Sequence, residues 1–144
     1  MTRKASEKTN MVIVQKFFEA GPSGGDLETT DALLADGFLL HVPLPVDGPG
    51  SEALKSVITT CRAAFPGLNV TIEDMIADGG KVVCRFTARG EHRGEFMGLP
   101  PTGKPVVMTG IEIFRLEKGK IAEIWGEANL MGLAQQLGIL PVPA

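Results

Sequence analysis

LNVTIEDMIADGGKVVCRFTARG, residues 68–90, is written for two antiparallel strands. Leu68, Val70, Ile72 and Ile76 alternate with Asn69, Thr71 and Glu73, and a period of two predicts a half-buried strand. Asp78-Gly79-Gly80 predicts the hairpin turn. Beyond it Val82, Cys84, Phe86 and Ala88 share one face, and Val83, Arg85, Thr87 and Arg89 the other. His92 keeps the parity of the apolar set, so a regular strand carries it inward and a bulge at Gly90 undoes this. The run Glu91–Glu95 around it reads as a solvated loop.

Outward toward the C-terminus, a Gly/Pro-rich connection leads to a strand over Val106–Leu116. Lys118-Gly119 turns the chain into Ile121–Glu127, and a short helix over Leu130–Leu137 stops at Gly138. Toward the N-terminus the period is helical. Met11, Val14 and Phe18 line one helix, with Thr9 or Asn10 as its cap and Gly21-Pro22 as its end. A short helix over Asp26–Leu34 and a strand over Phe38–Val42 follow. A third helix, capped by Ser51, has Leu54, Val57, Ile58, Cys61 and Phe65 on one face. Helices followed by long antiparallel strands predict an α+β domain, a curved antiparallel sheet wrapped around the N-terminal helices with a concave interior. Residues 1–8 are expected to be a polar, frayed tail and residues 9–144 a single domain.

The chain has 144 residues and a formal net charge of −3, which weighs against a nucleic-acid surface, since phosphate binding needs clustered Lys and Arg. No apolar run approaches the roughly 20 residues that span a bilayer, and no secretory leader is evident, so a cytoplasmic protein without membrane contact is expected. The absence of Tyr removes every mechanism that uses a phenol. Cys61 and Cys84 read as small buried hydrophobes, not a disulfide. His41 and His92 are isolated, so no metal site is expected. Gly98-Leu-Pro-Pro-Thr-Gly-Lys104 spells GxxxxGK, yet Pro100 and Pro101 lack the N–H groups that cradle phosphate, and Pro105 replaces the Ser or Thr. It reads as a rigid connection. Glu112 interrupts an almost uncharged strand, and a structural or interface pair with Arg85 or Arg89 is the expected resolution, ahead of the alternative, a catalytic acid. Trp125 shares a face with Glu123 and Glu127. Trp125, Arg115 and Asn129 read either as core, surface and helix cap, or as an aromatic wall with polar groups at a pocket mouth.

The ordered set Gly90-x-His92-x-Gly94-x-Phe96-x-Gly98-x-Pro100-Pro101-Thr102-Gly103-Lys104, then Glu123-x-Trp125, then Gln136-Leu137-Gly138 resembles the SnoaL-like polyketide cyclases, on the fold shared with nuclear transport factor two. The resemblance runs from about Phe65 to Gly138. It implies a cone-shaped α+β barrel, usually dimeric, with an apolar cavity and no cofactor. In the cyclases an acid stands four residues after the Trp and closes a ring by aldol chemistry; Asn129 stands there in this chain. Asn cannot exchange a proton at neutral pH, so the resemblance favours the branch proposed to hydroxylate anthracycline-type polyketides. By that resemblance Arg115 fills the basic position and holds an oxyanion, Asn129 bonds a carbonyl, and His41 or His92 serves as the base. Trp125, Phe18, Ile113 and Phe96 are assigned to binding the aromatic polyketide. A cyclase and a non-catalytic binding subunit are the alternatives. A homodimer through the sheet and a reductase partner complete the expectations.

Overall fold

The computed structural model describes residues 2–44 and 48–141. The elements are α1 (Arg3–Ala20), α2 (Leu27–Ala32), β1 (Leu34–His41), α3 (Gly50–Ala64), β2 (Asn69–Asp78), β3 (Lys81–Glu91), β4 (Pro105–Glu117), β5 (Lys120–Ala128) and α4 (Leu130–Leu137). This is the expected α+β class: a curved sheet, not closed into a full barrel, with helices against it.

Two helix starts differ from expectation. The stretch expected as a tail is helical from Arg3, and Thr2, not Thr9 or Asn10, accepts the capping bond from the Ala5 N–H at 3.1 Å. Arg3 pairs with Glu7 one turn on and with Asp78 in the β2–β3 turn, so polar contacts extend a helix that apolar periodicity does not announce. α3 begins at Gly50 after Pro49, and no side chain caps it, Ser51 included. Gly50 is where the helix meets β1: a Cβ there would lie 2.0 Å from the Phe38 carbonyl oxygen.

The strand order is β1-β5-β4-β3-β2. The three pairs among β2–β5 are antiparallel, as the hairpin signals predict. The pair β1–β5 is parallel, which makes the sheet mixed. A parallel pair needs a long crossover, and here the rest of the domain supplies it.

Alternation places the core. Val82, Cys84, Phe86 and Ala88 of β3 and Val106, Phe114 and Leu116 of β4 face inward and are buried. Against them α1 sets Val14, Phe17 and Phe18. Phe17, Phe18 and Phe114 meet edge to face, with centroids 5.4–5.6 Å apart, and Phe86 lies 5.8 Å from Phe18. Such contacts add about 0.5–1.5 kcal/mol per pair beyond burial. A second cluster of Ala64, Phe65, Phe96, Val106, Leu133 and Leu137 seats the β3–β4 connection and α4. The connection is tied across its base, His92 N–H to Lys104 carbonyl at 2.9 Å and Gly103 N–H to His92 carbonyl at 2.7 Å, and it leads into a strand as expected. Both cysteines are free thiols. Among the described residues no helix is long and apolar enough to cross a membrane.

Candidate active site

The concave face of the sheet and helices α1 and α3 enclose a cavity of about 140 Å³ with apolar walls that include Phe18, Leu54, Ile58 and Phe86. Glu112 enters it from the middle of β4. It shares the inward parity of Phe114 and Leu116, which the sequence displays but which the expected ion pair overrode. Arg85 and Arg89 cannot reach it: they stand opposite Ile111 and Val107, on the alternate face of the sheet. Among the described residues no cation pairs with Glu112. Burial therefore acts uncompensated and pushes its carboxyl up to about 7.

The neighbours of Glu112 fit this role. Cys84 is its register partner on β3 and Gly126 its partner on β5. The buried Cys84 thiol is pushed up to about 12, first by burial and then by the Glu112 charge, so it stays protonated beside the acid. Gly126 has a different use. A Cβ there would sit 3.3 Å from Glu112 Oε2, so the bare backbone makes room for the carboxylate. The other carboxylate bordering the cavity, Glu127, is exposed to solvent.

The residues singled out in the sequence are dispersed. Phe18 lines the cavity. Asn129 is the N-cap of α4, its Oδ1 accepting from the Gly132 N–H at 2.9 Å, which is the structural alternative read from the sequence. Arg115 lies on the outer face, bonded to Glu123 at 3.1 Å and to Glu117. His41 joins the same group, Nε2 to Glu123 Oε2 at 2.6 Å. These bonds, that from His41 first, hold the Glu123 carboxyl below its usual range. Trp125 stacks on His41 with centroids 5.6 Å apart, under Lys81. Ile113 stands beside it across the β4–β5 pair. Parity correctly grouped Glu123, Trp125 and Glu127, but that face is the solvent side, because Ile124 and Gly126 between them turn inward.

His92 does follow its strand parity inward and is fully buried, against the solvated-loop reading of its neighbourhood. It sits in the second cluster with Phe65 and Phe96, and does not line the cavity. The Thr102 N–H and hydroxyl approach its Nδ1 at 3.2 and 3.0 Å. That places the proton of the neutral ring on Nε2, which has no partner among the described residues. Phe96 lines a smaller chamber next to the cavity. Among the described residues no cluster of three or more His, Cys, Asp or Glu is placed to hold a metal.

Comparison with known proteins matches this geometry. The structure resembles AclR, a proposed hydroxylase from Streptomyces galilaeus, with 26% identity, a TM-score of 0.85, and coverage of 96% of this chain and 86% of that one. TsrD from Streptomyces laurentii is 29% identical, with a TM-score of 0.82, over 92% and 97% of the two chains. IdmH from Streptomyces antibioticus, a proposed polyketide cyclase, is 34% identical with a TM-score of 0.78, over 90% and 98%. No curated protein matches the chain. A curved α+β sheet around an apolar cavity and a family model for the SnoaL-like polyketide cyclases matching residues 12–137 agree, and the chain belongs to that family.

Proposed function

We propose that the protein closes a ring in an aromatic polyketide by intramolecular aldol chemistry, with Glu112 as its acid and base. The observation that carries this is one half-buried carboxylate, unpaired among the described residues and raised to about 7, in an apolar cavity. An acid or base works best when its pKa lies near the working pH. As a carboxylate Glu112 takes a proton from the carbon beside a substrate carbonyl. The enolate carbon attacks a second carbonyl of the same molecule, and the resulting alkoxide takes the proton back from Glu112. Bonds and protons balance, and no electrons enter or leave. The premise for hydroxylation was the missing acid at Asn129; Glu112 supplies an acid from the neighbouring strand.

Hydroxylation is the second reading, favoured by the likeness to AclR. It needs an external oxidant and brings back the reductase partner. The test is to mix the pure protein with a linear aromatic polyketide bearing an enolisable ketone. A cyclised product of unchanged mass, or lighter by one water, is expected. A product heavier by one oxygen supports the hydroxylase, and tight binding without turnover supports the binding subunit.

The proposal includes a homodimer through the outer face. Val107 and Ile111 are 46% and 51% exposed there, beside Arg85, Arg89 and Glu127, a mixture that a symmetric copy can complement. Sedimentation at micromolar concentration is expected to give a dimer for the wild type and a monomer for Ile111→Glu. A monomeric wild type removes the dimer from the proposal.

A further inference from the structure

A cavity of about 150 Å³ is the size that admits a single benzene ring. The 140 Å³ beside Glu112 therefore holds one ring of a polyketide, and the remainder of the molecule must continue elsewhere. A second chamber of about 60 Å³ lies between α3 and the turn Phe96–Leu99, and it shares the walls Leu44, Val57 and Cys61 with the main cavity.

Ser56 and Thr60, one helical turn apart on α3, border this chamber on its solvent side, and both are exposed. A helix Thr commonly spends its hydroxyl on the carbonyl four residues back. Thr9 and Thr30 do so, at 3.0 and 2.7 Å from the Ala5 and Asp26 carbonyls. Ser56 and Thr60 make no such bond among the described residues, so both hydroxyls face solvent at the chamber rim, where a ligand oxygen can replace water. The facing wall is held with unusual care. Phe96 and Leu99 exchange both backbone bonds, at 3.0 and 2.9 Å, around Met97 and Gly98. Met97 has φ +49°, uncommon for a residue with a side chain, and that conformation sets its thioether at the chamber edge. Thioethers make favourable contacts with aromatic rings.

We propose that this chamber is a subsite for the oxygenated end of an elongated aromatic ligand, whose hydroxyl or carbonyl oxygen is bound by Ser56 and Thr60 while its rings pass Met97, Val57 and Cys61 to reach Glu112. The subsite rests on the polyketide reading above and assigns the orientation of the molecule within it.

Two probes that differ by one oxygen test it: 2-naphthalenemethanol and 2-methylnaphthalene, titrated calorimetrically into the full-length protein. The wild type is expected to bind the hydroxymethyl probe about three- to tenfold more tightly, the worth of one hydrogen bond. Ser56→Ala with Thr60→Val erases that preference and leaves the affinity for the methyl probe within about twofold; Thr60→Ser retains the preference. A wild type that binds neither probe or shows no preference overturns the subsite, as does a double variant that weakens both probes equally. Turnover by Glu112→Gln is followed in parallel with the polyketide. If that variant keeps full activity, the acid/base reading falls while the probe preference still decides the subsite.

Discussion

Glu112→Gln is expected to lower turnover by about 10²–10⁴-fold, the usual contribution of a positioned acid or base. Gln keeps the shape of the side chain and removes its proton chemistry. The wild-type kcat/KM should rise with pH through about 7, as the carboxylate form appears. The same substitution changes stability in the opposite direction. The folded state raises the Glu112 carboxyl from its ordinary 4.5 to about 7 and so binds a proton more tightly than the unfolded chain. The group is not penalised below pH 4.5. Between 4.5 and 7 the wild type loses stability as pH rises, and above 7 the loss is complete at about 3 kcal/mol. Gln does not titrate. Urea unfolding at pH 5 and pH 8 should therefore show the wild type weakening relative to Glu112→Gln by that order. Parallel behaviour of the two proteins would mean that Glu112 titrates as an ordinary surface acid.

The largest effect on folding is expected from Phe114→Ala. Phe114 is fully buried and meets both Phe17 and Phe18 edge to face. Truncating a buried Phe costs about 3–5 kcal/mol, a large share of the ~5–15 kcal/mol that holds a typical domain together. The urea midpoint should fall accordingly with an unchanged m-value. Phe114 also lies two residues from Glu112 on the inward side of β4, and it braces Phe18 in the cavity wall. Loosening of Phe18 in the cavity wall should let water reach the Glu112 carboxyl and bring it down toward its ordinary range, shifting the acid limb of the pH–rate profile to lower pH. A variant that keeps both its midpoint and its profile would separate the aromatic cluster from the site.

The strands were legible because their signal is local. Val82, Cys84, Phe86 and Ala88 announce a face by alternation alone, and Asp78-Gly79-Gly80 announces the turn. The parallel pairing of β1 with β5 was not, because it depends on contacts between residues as distant as His41 and Trp125. The start of α1 was hidden for another reason: its first turns carry no apolar stripe and are held by the Thr2 cap and the Arg3 contacts. Parity distinguishes two faces of a strand without saying which one is inside. The family resemblance draws Trp125 and Arg115 to the pocket, while the glutamates at 123 and 127 on the same face mark solvent. Glu112 showed the opposite failure. Its parity with Phe114 and Leu116 pointed inward, but the expectation that a charge finds a partner sent it to the surface arginines. A site often keeps an unpaired charge in an apolar wall, and a rule drawn from stability misplaces such a residue.

The position of Trp125 has a practical consequence. As the chain's one tryptophan, stacked on His41 and standing under Lys81 on the outer side of the sheet, it is the dominant fluorophore, and it is separated from the cavity by the sheet itself. Its emission will report directly on the outer face, where the proposed dimer would cover it. A ligand bound at Glu112 reaches it only through the backbone of β4 and β5, or by energy transfer if the ligand absorbs. The protein therefore carries a built-in optical reporter of its outer face, and a silent signal on titration with a non-absorbing ligand is no sign of an empty cavity.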